Sequence, residues 1–187
     1  MRWSTAPLLL ALAGAVGGVL DSQLSQLTMG KFGEDAVSCA YIGGGIGLGI
    51  GAALCLPGRW GWSVLAGPVL GVLGYMMSMS LSCVVDGGRD LPKLSEVFKD
   101  GFAMYLAAPA APLLILCHRL YLRLTASGRP AIVGIPLYAG FGALSGLLFW
   151  IMFEHPWTGL LDGALYGLVQ HAGLTCARGI DRWRKSP

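Results

Sequence analysis

Between Cys39 and Leu56 the chain reads CAYIGGGIGLGIGAALCL, 18 residues with six glycines and no charge. In water such a segment makes a poor helix, because each interior glycine costs about 0.5–1 kcal/mol relative to alanine. Hydrocarbon reverses the argument. No water competes there for backbone N–H and C=O groups, and a missing side chain lets a second helix approach closely. Gly43, Gly47 and Gly51 recur every four residues on one face, with Gly45 and Gly49 on another. The segment therefore predicts a membrane helix that touches other helices on two sides.

The rest of the chain suits the same solvent. Of its 187 residues 55% are hydrophobic and only 12% charged, about half the charge of an ordinary soluble domain. Apolar runs of about 20 residues, enough to cross a bilayer core, occupy residues 7–27, 36–56, 61–84, 101–120, 131–153 and 157–177. The expected fold is all-α: one polytopic integral membrane domain over 1–187, with about six transmembrane helices. The first run has the look of a secretory signal, MRWSTAPLLLALAGAVGG, but five further runs follow it and it is read as an uncleaved helix. A net charge of +3, with no basic patch interleaved with aromatics, gives no sign of nucleic-acid binding.

Charge distribution predicts orientation. With six spans, one side carries Arg2, Arg59, Arg119, Arg123, Arg129, Arg178, Arg182, Arg184 and Lys185; the other carries Lys31, Arg89, Lys93 and Lys99. By the positive-inside rule both termini, including a basic tail over 178–187, face the cytoplasm, in a membrane of the bacterial inner type. Of the ten acids only Asp181 falls on that side, so the outer side is acidic. Trp3, Trp60, Trp62, Trp157 and Trp183 fall at the expected interfaces.

An internal pattern accompanies the spans. AGAVGGVL (13–20) and AGPVLGVL (66–73) agree at six of eight positions, and GALSGLL (142–148) keeps the same glycine spacing. The glycine pairs are Gly14 and Gly18, Gly67 and Gly71, and Gly142 and Gly146. Each such span is followed by one entered through an acid, at Asp35, Asp100 or Asp162. The chain thus reads as three glycine-rich helical hairpins, 7–56, 61–120 and 131–177, a possible triplication. The three acids are expected to complement the positive ends of helix dipoles. The alternative has them ring a cation vestibule.

Polar groups inside a membrane are functional suspects by default. Asp21, Gln23 and Ser25, within DSQLSQ, form a candidate solute site if the first helix continues through them; otherwise they belong to a wet loop. Ser78 and Ser82 lie one turn apart and either bond a backbone carbonyl or line a polar path. Glu154, His155 and Asp162 join at the third outer tip, FEHPWTGLLDG. Met76, Met79 and Cys83 form a sulfur stripe, a weak Cu(I) candidate, although methionine more often fills helix packing. No other metal and no cofactor is expected. His118 and His171 both fall near inner helix ends, where they are read as snorkelling or capping side chains rather than haem ligands. The five cysteines, none at CxxC spacing, are read as small buried hydrophobes.

Two resemblances bear on function. ALSG (143–146) with QHAG (170–173) resembles the serine–histidine pairing of rhomboid intramembrane proteases. The depths of Ser145 and His171 along their spans differ by about 9 Å at 1.5 Å per residue, however, and a serine must reach its base. In size, span number and cytoplasmic termini the chain resembles the substrate-capture subunits of energy-coupling-factor vitamin transporters. Those also carry small-residue ladders on the first helix, as Ala11 and Ala15 do here. That likeness is one of architecture; the acidic outer side and the glycine faces point to a small-solute or cation transport component, partnered by lipid and by further copies of itself or other membrane subunits, and no nucleophile, metal set or phosphate loop stands at a spacing that suits an enzyme. The alternative is a non-catalytic assembly subunit. The CDP-alcohol transferase pattern fails, because LDGALYGLVQHAG supplies only its first aspartate.

Overall fold

A computed structural model describes residues 5–29, 36–56, 60–85, 102–150 and 156–183. Among them are six α-helices and no strand: α1 (Ala6–Met29), α2 (Ala36–Cys55), α3 (Trp60–Val85), α4 (Phe102–Ala126), α5 (Gly134–Trp150) and α6 (Pro156–Trp183). A 3-10 turn, Ala131–Val133, leads into α5. The apolar runs and the helices coincide, but α4 and α6 continue for about two turns beyond their apolar runs, into Arg123 and Arg178. Three segments, Ala6–Leu24, Gly61–Leu81 and Ala131–Leu148, are long and apolar enough to cross a membrane.

Each helix packs on its neighbour in chain order, and α6 closes back onto α1. The middle of this ring is filled from every helix: Leu10, Ile50, Tyr75, Ile115, Tyr138 and Leu174 are all buried together. The outward faces are apolar as well. Leu12 and Val16 on α1, and Val69, Leu73 and Met77 on α3, are exposed at one-turn spacing, whereas Ser22, Ser63, His118, Asp162 and Gln170 are buried. Apolar surface outside and polar groups inside suit hydrocarbon and not water, consistent with an integral membrane protein.

Glycine sets how closely the backbones approach. A Cβ on Gly14 would overlap the carbonyl of Gly43, one on Gly18 that of Cys39, and one on Gly47 that of Leu10; one on Gly51 would meet Pro7. The other face of α2 does the same to α3, with Gly45 on Gly74 and Gly49 on Leu70 and Gly71. The α5–α6 hairpin repeats the arrangement, Gly142 lying on Gly163 and Gly146 on Gly159. The middle pair differs. Gly67 meets the Ile115 side chain and Ala111, so α3 and α4 stand apart by a layer of side chains, while Gly71 and Gly74 serve the contact with α2.

The α4–α5 connection is tight. Gly128 has φ 86°, a left-handed conformation that favours glycine, and the Arg129 amide donates to the Leu124 carbonyl at 3.0 Å, closing the helix end. This reversal brings His118 of α4 level with Tyr138 of α5.

Candidate functional site

The polar interior has two parts, one along the contact of α1 with α6 and the other where α6 meets α4 and α5. At the first, α1 and α6 run antiparallel in close register. Thr5 Oγ1 donates to the Ala177 carbonyl at 3.4 Å and to Asp181 Oδ1 at 3.3 Å. Further along, Gly173 packs on Ala13, and a Cβ on Gly14 would lie 3.2 Å from Gln170 Nε2. One on Gly17 would lie 2.9 Å from the Tyr166 ring. Continued one turn further, the same register sets Asp21 of α1 level with Asp162 of α6, close enough for each carboxyl group to act on the other.

Asp162, Tyr166 and Gln170 therefore form a file on one face of α6, at i, i+4 and i+8, covered by α1 and α2. Asp162 is 6% and Gln170 1% exposed. Neither oxygen of Asp162, and neither polar atom of the Gln170 amide, has a hydrogen-bond partner among the described residues. The Tyr166 hydroxyl donates to the Gly43 carbonyl at 3.2 Å, so its proton is committed to α2. The described arginine side chains, those of Arg119, Arg123, Arg129 and Arg178, all belong to the other end of the bundle. A buried carboxyl group with neither oxygen hydrogen-bonded, as at Asp162, is costly, which marks this as the candidate site.

Several expectations are corrected by this geometry. Asp162 is no helix cap: α6 begins at Pro156, and the acid lies almost two turns inside it, aimed at α1. The segment DSQLSQ is no loop, since α1 continues to Met29. Its Gln23 is exposed and points away from the site. Ser78 is buried, but at Gly45 on the α2–α3 contact, where its Oγ donates to the Tyr75 carbonyl at 2.8 Å. It belongs to packing and not to the file. Met76 and Met79 pack against the central core. Cys39 and Cys117 are buried, whereas Cys55 and Cys176 are exposed. Glu154, His155, Asp35, Asp100 and the side chains of Ser25, Ser82 and Cys83 lie outside what the structure describes.

The second polar part lies where the C-terminal halves of α4 and α6 meet the start of α5. His118 Nδ1 and the Tyr138 hydroxyl share a hydrogen bond of 2.7 Å. The Tyr138 ring stacks on His171, centroids 4.7 Å apart, and Tyr121 meets both edge-on. The Arg178 guanidinium lies 5.7 Å over the Tyr121 ring. The two histidines thus do converge, but Tyr138 fills the space between them, and a porphyrin has no place there. Gly134 is the close neighbour of His171. Ser145 lies 11 residues further along α5, about 16 Å away at the helical rise, so the serine–histidine pairing does not form. Tyr138→Phe is expected to lower stability by about 1–2 kcal/mol, since it strands a buried His118 nitrogen. Thermal unfolding of the purified protein in detergent, compared with wild type, measures this.

The chain matches no family model, no curated protein and no solved structure. The likeness to vitamin-capture subunits therefore rests on size and expected topology alone.

Sequence reasoning named Asp21 and Asp162 separately and passed over Tyr166, Gln170 and Tyr138. A usable signal was present for the first two. Polar groups at i, i+4 and i+8 in an otherwise apolar helix define a polar stripe that needs a partner.

Proposed function

We propose that this protein is a transport component for a small cation or polar solute, crossing the membrane with six helices and holding both termini on the cytoplasmic side of a bacterial-type inner membrane. The observation that carries this reading is the Asp21–Asp162 pair at the head of the Tyr166–Gln170 file. A carboxyl group buried as Asp162 is, with neither oxygen hydrogen-bonded among the described residues, is expensive to maintain for packing alone, because an apolar residue of the same volume would pack without that penalty. A ligand or proton that neutralises the pair gives it a use. A purely structural subunit would be served by a dry core; the polar file favours transport. The helices carrying the file are continuous among the described residues, so the acids themselves, rather than unwound backbone, would supply the polar contacts.

The test is flux in reconstituted vesicles, with protons, Na⁺, K⁺ and Mg²⁺ followed in turn under an imposed gradient. Asp162→Asn is expected to reduce the transported ion's flux at least tenfold, an effect of about 1.4 kcal/mol or more on the limiting step, with Asp162→Glu retaining part of it. Wild-type flux in a correctly folded Asp162→Asn protein would remove the site.

A further inference from the structure

We propose that Arg119 of α4 and Ser63 of α3, with Arg123 one turn further along α4, form a binding site for a phosphate group of the kind carried by lipid headgroups. The site is separate from the Asp162 file and does not depend on the transport reading.

Arg119 falls inside the apolar run of α4, and it is half-buried. Its guanidinium reaches across to α3, where Nη2 donates to Ser63 Oγ at 3.5 Å, a long and therefore weak bond. Its Nε is sealed from solvent and has no acceptor among the described residues. A guanidinium carries five N–H donors and is always charged, so a long bond to a neutral hydroxyl leaves most of its demand unmet.

The chain supplies no carboxylate to meet it. Arg119 has no acidic partner among the described residues. Asp181 stands on α6 and already accepts from Thr5 of α1. The stretches of sequence that border this end of the helices, 1–4, 57–59 and 184–187, contain Arg2, Arg59, Arg184 and Lys185 and no acid. The acids within 86–101 border the opposite ends of α3 and α4, Val85 and Phe102. The missing anion must come from outside the chain.

The donors present suit phosphate. The planar fork of arginine matches two phosphate oxygens at once. Ser63 is 1% exposed; its oxygen accepts from Arg119, and no described acceptor takes its own hydrogen. It lies in the first turn of α3, which carries no acid, so the positive end of that helix faces the same place. Arg123 is exposed and four residues beyond Arg119, on the same face of α4, and adds a second positive charge. Trp62, beside Ser63, is 67% exposed, as an aromatic anchor at headgroup level is. Basic pockets between membrane helices hold phosphate headgroups in this way.

The test titrates the full chain in detergent with dioleoylphosphatidylglycerol and reads bound lipid by native mass spectrometry. Wild type is expected to retain the lipid, and Arg119→Gln to weaken its binding about tenfold or more, the loss of charge-assisted hydrogen bonds. Arg119→Lys, which keeps the charge without the fork, should bind more weakly than wild type and more tightly than Arg119→Gln. Arg129→Gln, in the exposed α4–α5 connection, should bind as wild type does. Undiminished binding by Arg119→Gln overturns the site; if that variant is not monodisperse, undiminished binding by Arg119→Lys does so. Equal weakening by Arg129→Gln would show diffuse attraction to a basic surface and overturn it as well. A parallel titration adds inorganic phosphate. Lipid that stays bound assigns the site to a headgroup, whereas displacement keeps the phosphate site and assigns it to a soluble phosphate. Retention of neither lipid nor inorganic phosphate by the wild-type protein overturns the proposal.

Discussion

Gly142→Ala is expected to destabilise the protein by about 3 kcal/mol, the upper part of the range for overpacking a close contact, whereas Gly140→Ala on the same helix should leave stability unchanged or slightly raised. The two positions differ in one respect only. A Cβ on Gly142 would overlap the backbone carbonyl of Gly163, and backbone cannot rotate aside as a side chain can; a Cβ on Gly140 would meet nothing within 4 Å. The whole α5–α6 hairpin would have to separate to admit the methyl group. Gly43→Ala should behave like Gly142→Ala, because it meets the Gly14 carbonyl across the α1–α2 contact. Thermal unfolding in detergent, with monodispersity by size-exclusion chromatography, separates these variants. Equal stability of Gly140→Ala and Gly142→Ala would show that the helices do not approach as closely as described.

Replacing Gln170 by methionine is expected to do the opposite to stability and, on the transport reading proposed above, still to lower flux. The amide is fully buried with neither polar atom hydrogen-bonded among the described residues. Leaving such a group unsatisfied costs about 1–3 kcal/mol, and methionine has similar length with no polar atom to satisfy. Gln170→Met should therefore unfold at a higher temperature than wild type while ion flux in vesicles falls at least tenfold. This pairing of gain and loss distinguishes a functional polar group from a packing one, since a residue kept for packing loses both together. A lowered unfolding temperature would contradict the absence of a partner for the amide.

Much of the helical architecture was legible before any coordinates, because a bilayer allows few choices. Runs such as 61–84 are too long and apolar for anything but a helix in hydrocarbon, and the observed helix, Trp60–Val85, follows the run almost residue for residue. Where the reading failed, the reason was tertiary. Asp162 stands near the start of the last apolar run, where an acid reads as complementing the helix dipole; its burial against α1 depends on the register between segments about 140 residues apart in the chain, which no local spacing encodes. Ser78 illustrates the same limit from the other side. Its polarity left a bond to a backbone carbonyl and a polar path both open, and only the structure shows that it makes the first, to Tyr75 beside Gly45.

The sequence by itself determined the secondary structure, the apolar exterior and, except at Gly67, the paired glycines at which backbones approach, since these follow from side-chain volume and from the cost of unpaired backbone groups in lipid. Tertiary structure decided which glycine faces which, that α6 closes on α1, and hence that Asp21 meets Asp162 while His118 and His171 are separated by Tyr138. Those outcomes depend on helix rotation and register. Both are fixed by the summed packing of the whole ring, and a shift of one residue would turn each side chain by about 100° on its helix.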